Sequence, residues 1–115
     1  MTAAVHRLVG SPSPRPWGGG RFGSVDGVPV GELWVSGDEA RLPDGRTLAA
    51  AGWSERVPLV KLLDVAGALS VQVHPDDAQA LRLAGPTGVG KHEAWVVLEA
   101  APGASSLLWL LSLAL

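Results

Sequence analysis

Two short stretches of the chain carry side chains that can do chemistry, at a spacing that aims them together. Residues 69–74, Leu-Ser-Val-Gln-Val-His, alternate apolar and polar side chains, the period of a half-buried strand. Leu69, Val71 and Val73 take one face, and Ser70, Gln72 and His74 the other. Same-face neighbours on a strand lie about 6.6 Å apart, so Gln72 and His74 can reach a common point, with Ser70 one step further along. Residues 90–95, Gly-Lys-His-Glu-Ala-Trp, repeat the device with Lys91, Glu93 and Trp95 on one face. His92 falls on the opposite face and is not expected to be a ligand. Aimed at one hollow, the two stretches supply an imidazole, a carboxylate, an amide oxygen, an ammonium and a hydroxyl. That set suits a metal ion holding an anionic, oxygen-rich substrate.

The elements that must position these groups can be read coarsely. Residues 10–20 are rich in Ser, Pro and Gly and read as an irregular entry loop. Residues 28–35 have strand character, Pro43-Asp44-Gly45 is a turn signal, and Thr47 can cap a short helix through Trp53. Residues 58–65 form an apolar run of strand length, for which a helix is equally allowed by periodicity. After the strand at 69–74, Pro75 fits the first helical position, with Asp76 and Asp77 in the first turn. The helix continues through 78–83 and stops at Gly85-Pro86. Residues 91–100 read as the next strand, turned by Pro102-Gly103. Residues 85–90 are rich in glycine but lack the phosphate-loop pattern, because His92 follows Lys91 where Ser or Thr is needed. Several short strands with glycine-rich turns and one or two short helices predict a mainly β fold of sandwich or jelly-roll type.

The same motifs resemble a family. Residues 69–77 followed by 90–95 resemble the metal-site signature of type I mannose-6-phosphate isomerases, the phosphomannose isomerases. Further matches follow in chain order: Pro16-Trp17-Gly18-Gly19, Gly31-Glu32-Leu33-Trp34, the run 57–64, and Ala101-Pro102-Gly103-Ala104. The resemblance implies a cupin-type jelly roll with a metal inside. It also implies interconversion of mannose 6-phosphate and fructose 6-phosphate through an enediol-type intermediate. The implied cofactor is one divalent ion, Zn²⁺, held by Gln72, His74 and Glu93. Ser70 and Lys91 would contact the sugar phosphate, and the general base is not identified. Lys61 is expected to be structural or to support the site's ligands from behind, and Glu32 to make a structural hydrogen bond near the site. Trp17, Trp34 and Trp95 are expected as core or pocket walls, and His6 has no expected metal role.

Four or five strands are countable where a jelly roll needs about eight. The expectation is therefore a single partial cupin domain over 1–115, the N-terminal part of the family's catalytic domain. The resemblance further implies a histidine ligand and a catalytic arginine, and no His or Arg follows Glu93. The competing expectations are a truncated, inactive fragment and a non-catalytic cupin module that binds metal or sugar. The expected partners are the sugar phosphate, a missing C-terminal half in trans, or a second copy through the apolar run 107–115.

Composition narrows the classes. With 115 residues there is room for one domain at most. A net charge of −2 offers no electrostatic footprint for nucleic acid or an anionic membrane. The run 107–115 is far shorter than the roughly 20 residues of a membrane helix. The absence of cysteine leaves nitrogen and oxygen as the only metal donors, and fits a cytoplasmic protein.

Overall fold

The computed structural model describes residues 7–37, 40–53 and 57–105. Expectations for His6 and for the run 107–115 lie outside them. The chain divides into two compact units, Met1–Leu69 and Ser70–Leu115.

The first unit is built on one antiparallel sheet. Its strands are β1 (Ser11–Pro14), β2 (Ser24–Val25), β3 (Val28–Trp34) and β4 (Lys61–Leu63). β3 is central: β1 and β4 both pair with its Glu32, Leu33 and Trp34, and therefore flank it on opposite sides. β2 joins β3 through the two-residue turn Asp26-Gly27, whose φ values of 50° and 81° are those of a hairpin turn that matches strand twist. The expected entry loop is a strand over Ser11–Pro14. Its prolines are tolerated because β1 is an edge and pairs on one side only. The register slips between Ser13 and Pro14, where the ladder bulges. The 58–65 run resolves as a strand, confined to Lys61–Leu63.

Close backbone approach explains Gly31. A Cβ at Gly31 would lie 2.7 Å from both the Trp17 ring and Arg15 Cβ, so β3 can carry no side chain where the 15–18 loop crosses it. The loop is held there by Gly18 N–H donating to Arg15 O at 2.9 Å, and by Trp17 O accepting from Ala66 and Gly67 N–H at 2.8 and 3.1 Å. Buried Ser36 accepts from Val60 N–H at 2.9 Å and donates to the Pro58 carbonyl, which ties the end of β3 to the run leading into β4. A small apolar cluster of Ala40, Leu42 and Leu48, with Leu8, Ala51 and Val57 against it, completes the unit. Thr47 does cap, accepting from Ala50 N–H at 3.1 Å, but the expected helix is only a pair of turns that closes at Gly52.

The described residues of the second unit hold one α-helix, α1 (Asp77–Ala84), and a 3-10 turn (Gly85–Thr87). Pro75 lies one residue before the cap and not inside the helix. Asp76 takes the cap position, accepting from Gln79 N–H at 2.7 Å while its own N–H donates to Gln79 Oε1 at 3.1 Å. The helix stops at Gly85, as expected.

Residues 69–74 and 91–100 are not strands, contrary to expectation. Alternation gives a strand its two faces, but a ladder needs a partner of matching length. Among the described residues the backbone bond that links this region is from Lys91 N–H to Pro75 O, at 3.1 Å, one residue beyond the first segment. The described chain is thus mainly β, with an antiparallel sheet and one short helix. Among the described residues no helix is long and apolar enough to cross a membrane.

Candidate functional site

The residues with chemical potential in the second unit converge where α1 begins. The Lys91–Pro75 backbone bond fixes one point. Gly90 N–H donates to Asp77 Oδ1 at 2.9 Å, which fixes the next. A Cβ at Gly90 would sit 2.7 Å from Asp77 N, so only glycine lets this segment lie so close to the helix start. Held this way, 91–95 delivers its side chains to His74.

His74 Nε2 lies 3.1 Å from Glu93 Oε2, and Lys91 Nζ lies 2.8 Å from the same oxygen. The second carboxylate oxygen, Oε1, accepts a hydrogen bond from the Trp95 indole N–H. Glu93 therefore has both oxygens engaged, one by His74 and Lys91 and the other by Trp95. Its carboxyl is held below the usual glutamate range, first by the Lys91 hydrogen bond. Partial burial opposes the shift, and the Trp95 hydrogen bond and the Lys91 and His74 charges reinforce it. Lys91, Glu93 and Trp95 act from one side of their segment, as alternation predicts. His92 is not among the ion-pair partners of Glu93.

Ser70 and Gln72 make a separate pair. The Gln72 amide donates from Nε2 to Ser70 Oγ at 2.8 Å, which leaves its oxygen as the group it can offer a cation.

The donor set can be tested against the metal that the resemblance implies. Ligand bonds to zinc of about 2.0–2.2 Å at a tetrahedral angle put neighbouring donor atoms about 3.3 Å apart. The 3.1 Å between His74 Nε2 and Glu93 Oε2 is close to that edge. A cation, the Lys91 ammonium, already sits on Glu93 Oε2. These two donors fit. Among the described residues no group of three or more His, Cys, Asp or Glu gathers at one point.

The first unit holds a second carboxylate cluster. Glu32, 8% exposed, accepts on Oε2 from Arg15 Nη2 at 3.1 Å and from the Trp34 indole N–H at 2.8 Å, with Lys61 Nζ 3.6 Å away. Lys61 also lies over the Trp34 ring, 4.3 Å from its centroid. Burial raises the Glu32 carboxyl, but the Trp34 hydrogen bond and the Lys61 and Arg15 charges outweigh it, and the net shift is downward. Glu32 and Lys61 are ion-pair partners within the first unit. Trp34 and Trp95 do more than wall a core, since each indole N–H holds a glutamate two residues earlier. The signal was present in the chain as a repeated Glu-x-Trp, at 32–34 and 93–95, with a lysine on each carboxylate.

Comparison with known proteins points the same way as the motifs. Over 83 residues, 71% of the chain, the sequence is 41% identical to the mannose-6-phosphate isomerase of Streptococcus mutans serotype c. That relative is an isomerase by name. The match covers 23% of its length, so the chain spans less than a quarter of the curated relative it matches. No family model matches the chain, and no solved structure matches it.

Proposed function

We propose that this chain is the metal-site part of a type I mannose-6-phosphate isomerase of cupin type, acting in the interconversion of mannose 6-phosphate and fructose 6-phosphate. The observation that carries the reading is the meeting of His74 and Glu93, from two segments that resemble the family's metal motifs, at a spacing two metal ligands would take. The 41% identity to a named isomerase supports it. His74, Glu93 and the Gln72 amide oxygen would hold Zn²⁺. When bound, the ion would supply Lewis acidity that stabilises negative charge on the sugar oxygens as a proton passes between C1 and C2.

The chain's own residues would bind and orient the substrate. Ser70 Oγ accepts from Gln72, so its O–H proton is left to donate to a sugar or phosphate oxygen. The Lys91 side chain is 54% exposed, and its ammonium can turn from Glu93 to an anionic oxygen of the substrate as a compact point charge. Metal and sugar phosphate binding without turnover is the second reading. It is favoured by the partial exposure of the cluster, where the Lys91, Glu93 and His74 side chains are 54%, 29% and 26% exposed and water reaches the carboxylate.

The test is a zinc titration by chelator competition, followed by a coupled assay with mannose 6-phosphate. H74A and E93A should each weaken zinc binding by about tenfold or more, while H92A stays within about twofold of wild type. Equal losses at His92 and Glu93 would sink the ligand assignment. Zinc binding with no turnover selects the binding-only reading.

A further inference from the structure

The two Glu-x-Trp clusters share a device that the proposed ligand set does not use. On extended backbone, residues two apart lie on the same side, so an indole at i+2 reaches the carboxylate at i. In the first cluster Trp34 and two cations all engage Glu32 Oε2. In the second the engagement is divided: Trp95 takes Glu93 Oε1, and His74 and Lys91 share Oε2. A carboxylate held by one oxygen cannot rotate freely about its terminal torsion, and it presents the other oxygen alone. Trp95 itself is 57% exposed, so core packing does not account for its orientation.

We propose that Trp95 is a positioning residue for Glu93: its indole N–H holds Oε1 so that Oε2 alone is offered to a cation beside His74. The inference rests on the metal reading above for the identity of that cation, but the hydrogen bond exists without it. Its consequence is single-oxygen ligation. A small ion with short ligand bonds, such as Zn²⁺, is served by that arrangement. The larger Ca²⁺, which readily accepts both oxygens of a carboxylate, gains nothing from it.

Phenylalanine keeps the ring and removes the N–H, while alanine removes both, so the two substitutions separate positioning from wall-filling. Zinc dissociation constants are measured by chelator competition for the full chain, W95F and W95A. Positioning predicts that both variants bind zinc more weakly by roughly tenfold or more, and to a similar degree. A W95F variant within about twofold of wild type, with only W95A impaired, would show that Trp95 merely fills space. A second measurement needs no metal. In a proton–nitrogen spectrum of the zinc-free chain, the Trp95 indole signal, assigned by its loss in W95F, should move and exchange faster with water in E93A. An indole signal indifferent to E93A overturns the proposal whatever the zinc titration gives. A wild-type chain that takes no zinc, yet shows the E93A response, defeats the metal reading and leaves the positioning of Glu93 by Trp95 standing.

Discussion

At the scale of single residues, Glu32 shows how a buried charge is tolerated. Its carboxylate is nearly out of water, and a desolvated anion is stable only when cations and N–H groups replace the lost hydration. Arg15, Trp34 and Lys61 supply that replacement from the end of β1, from β3 and from β4. The folded carboxyl is therefore shifted below its unfolded value of about 4.5. A depressed folded value stabilises the fold above the unfolded value, and that contribution is lost as pH falls below 4.5 and through the folded value. E32Q should lower stability by about 1–3 kcal/mol at pH 7, because it leaves the Arg15 and Lys61 charges uncompensated. The gap between wild type and E32Q should close as pH falls below about 4.5, read by denaturant unfolding at a series of pH values. A gap that is constant from pH 7 to pH 3 would mean that the Glu32 charge contributes nothing. The carboxylate and its Lys61 partner were legible as motif residues. The role of Trp34 was not, because a tryptophan in an apolar run reads as core until its N–H is traced to an acceptor.

At the scale of elements, local chemistry was legible and long-range pairing was not. The strand character of 28–35, the Pro43-Asp44-Gly45 turn, the stop at Gly85 and the acidic helix start all follow from neighbours within four residues. β1 was missed because Pro12 and Pro14 argue against a strand, and only its partner β3 makes an edge of it. The segments 69–74 and 91–100 failed in the opposite direction, since their alternation is real but sheet partners are not encoded in alternation. What does bring His74 to Glu93 is the start of α1, through Gly90 on Asp77 and Lys91 on Pro75. The Asp76 cap should therefore matter to the site as well as the helix. D76A is expected to cost about 1 kcal/mol of helix stability and to speed amide exchange over 79–81. Loosening that helix end should also weaken zinc binding, though less than E93A does. Unchanged exchange at Gln79 in D76A would show that the capping pair does not hold the helix.

At the scale of the whole molecule, the distribution of apolar surface differs between the two units. In Met1–Leu69 the buried residues include Val30, Leu42 and Leu48, whereas in Ser70–Leu115 Ala80 is the one described residue in the apolar core. Val96 and Leu98 are 82% and 80% exposed, on a segment that belongs to no ladder and bends at Leu98. Exposed apolar side chains on backbone unpaired in a ladder favour association, because a partner chain can supply hydrogen bonds and apolar cover together. Self-association of the chain is therefore expected, with a sedimentation coefficient that rises with concentration at micromolar levels. Charge on the same segment should oppose it. V96K together with L98K should restore a concentration-independent sedimentation coefficient. If the double variant associates as strongly as wild type, the 96–98 segment is not the contact. If the wild-type chain sediments as a monomer across the range, its exposed apolar surface is not adhesive, and association through this unit is refuted.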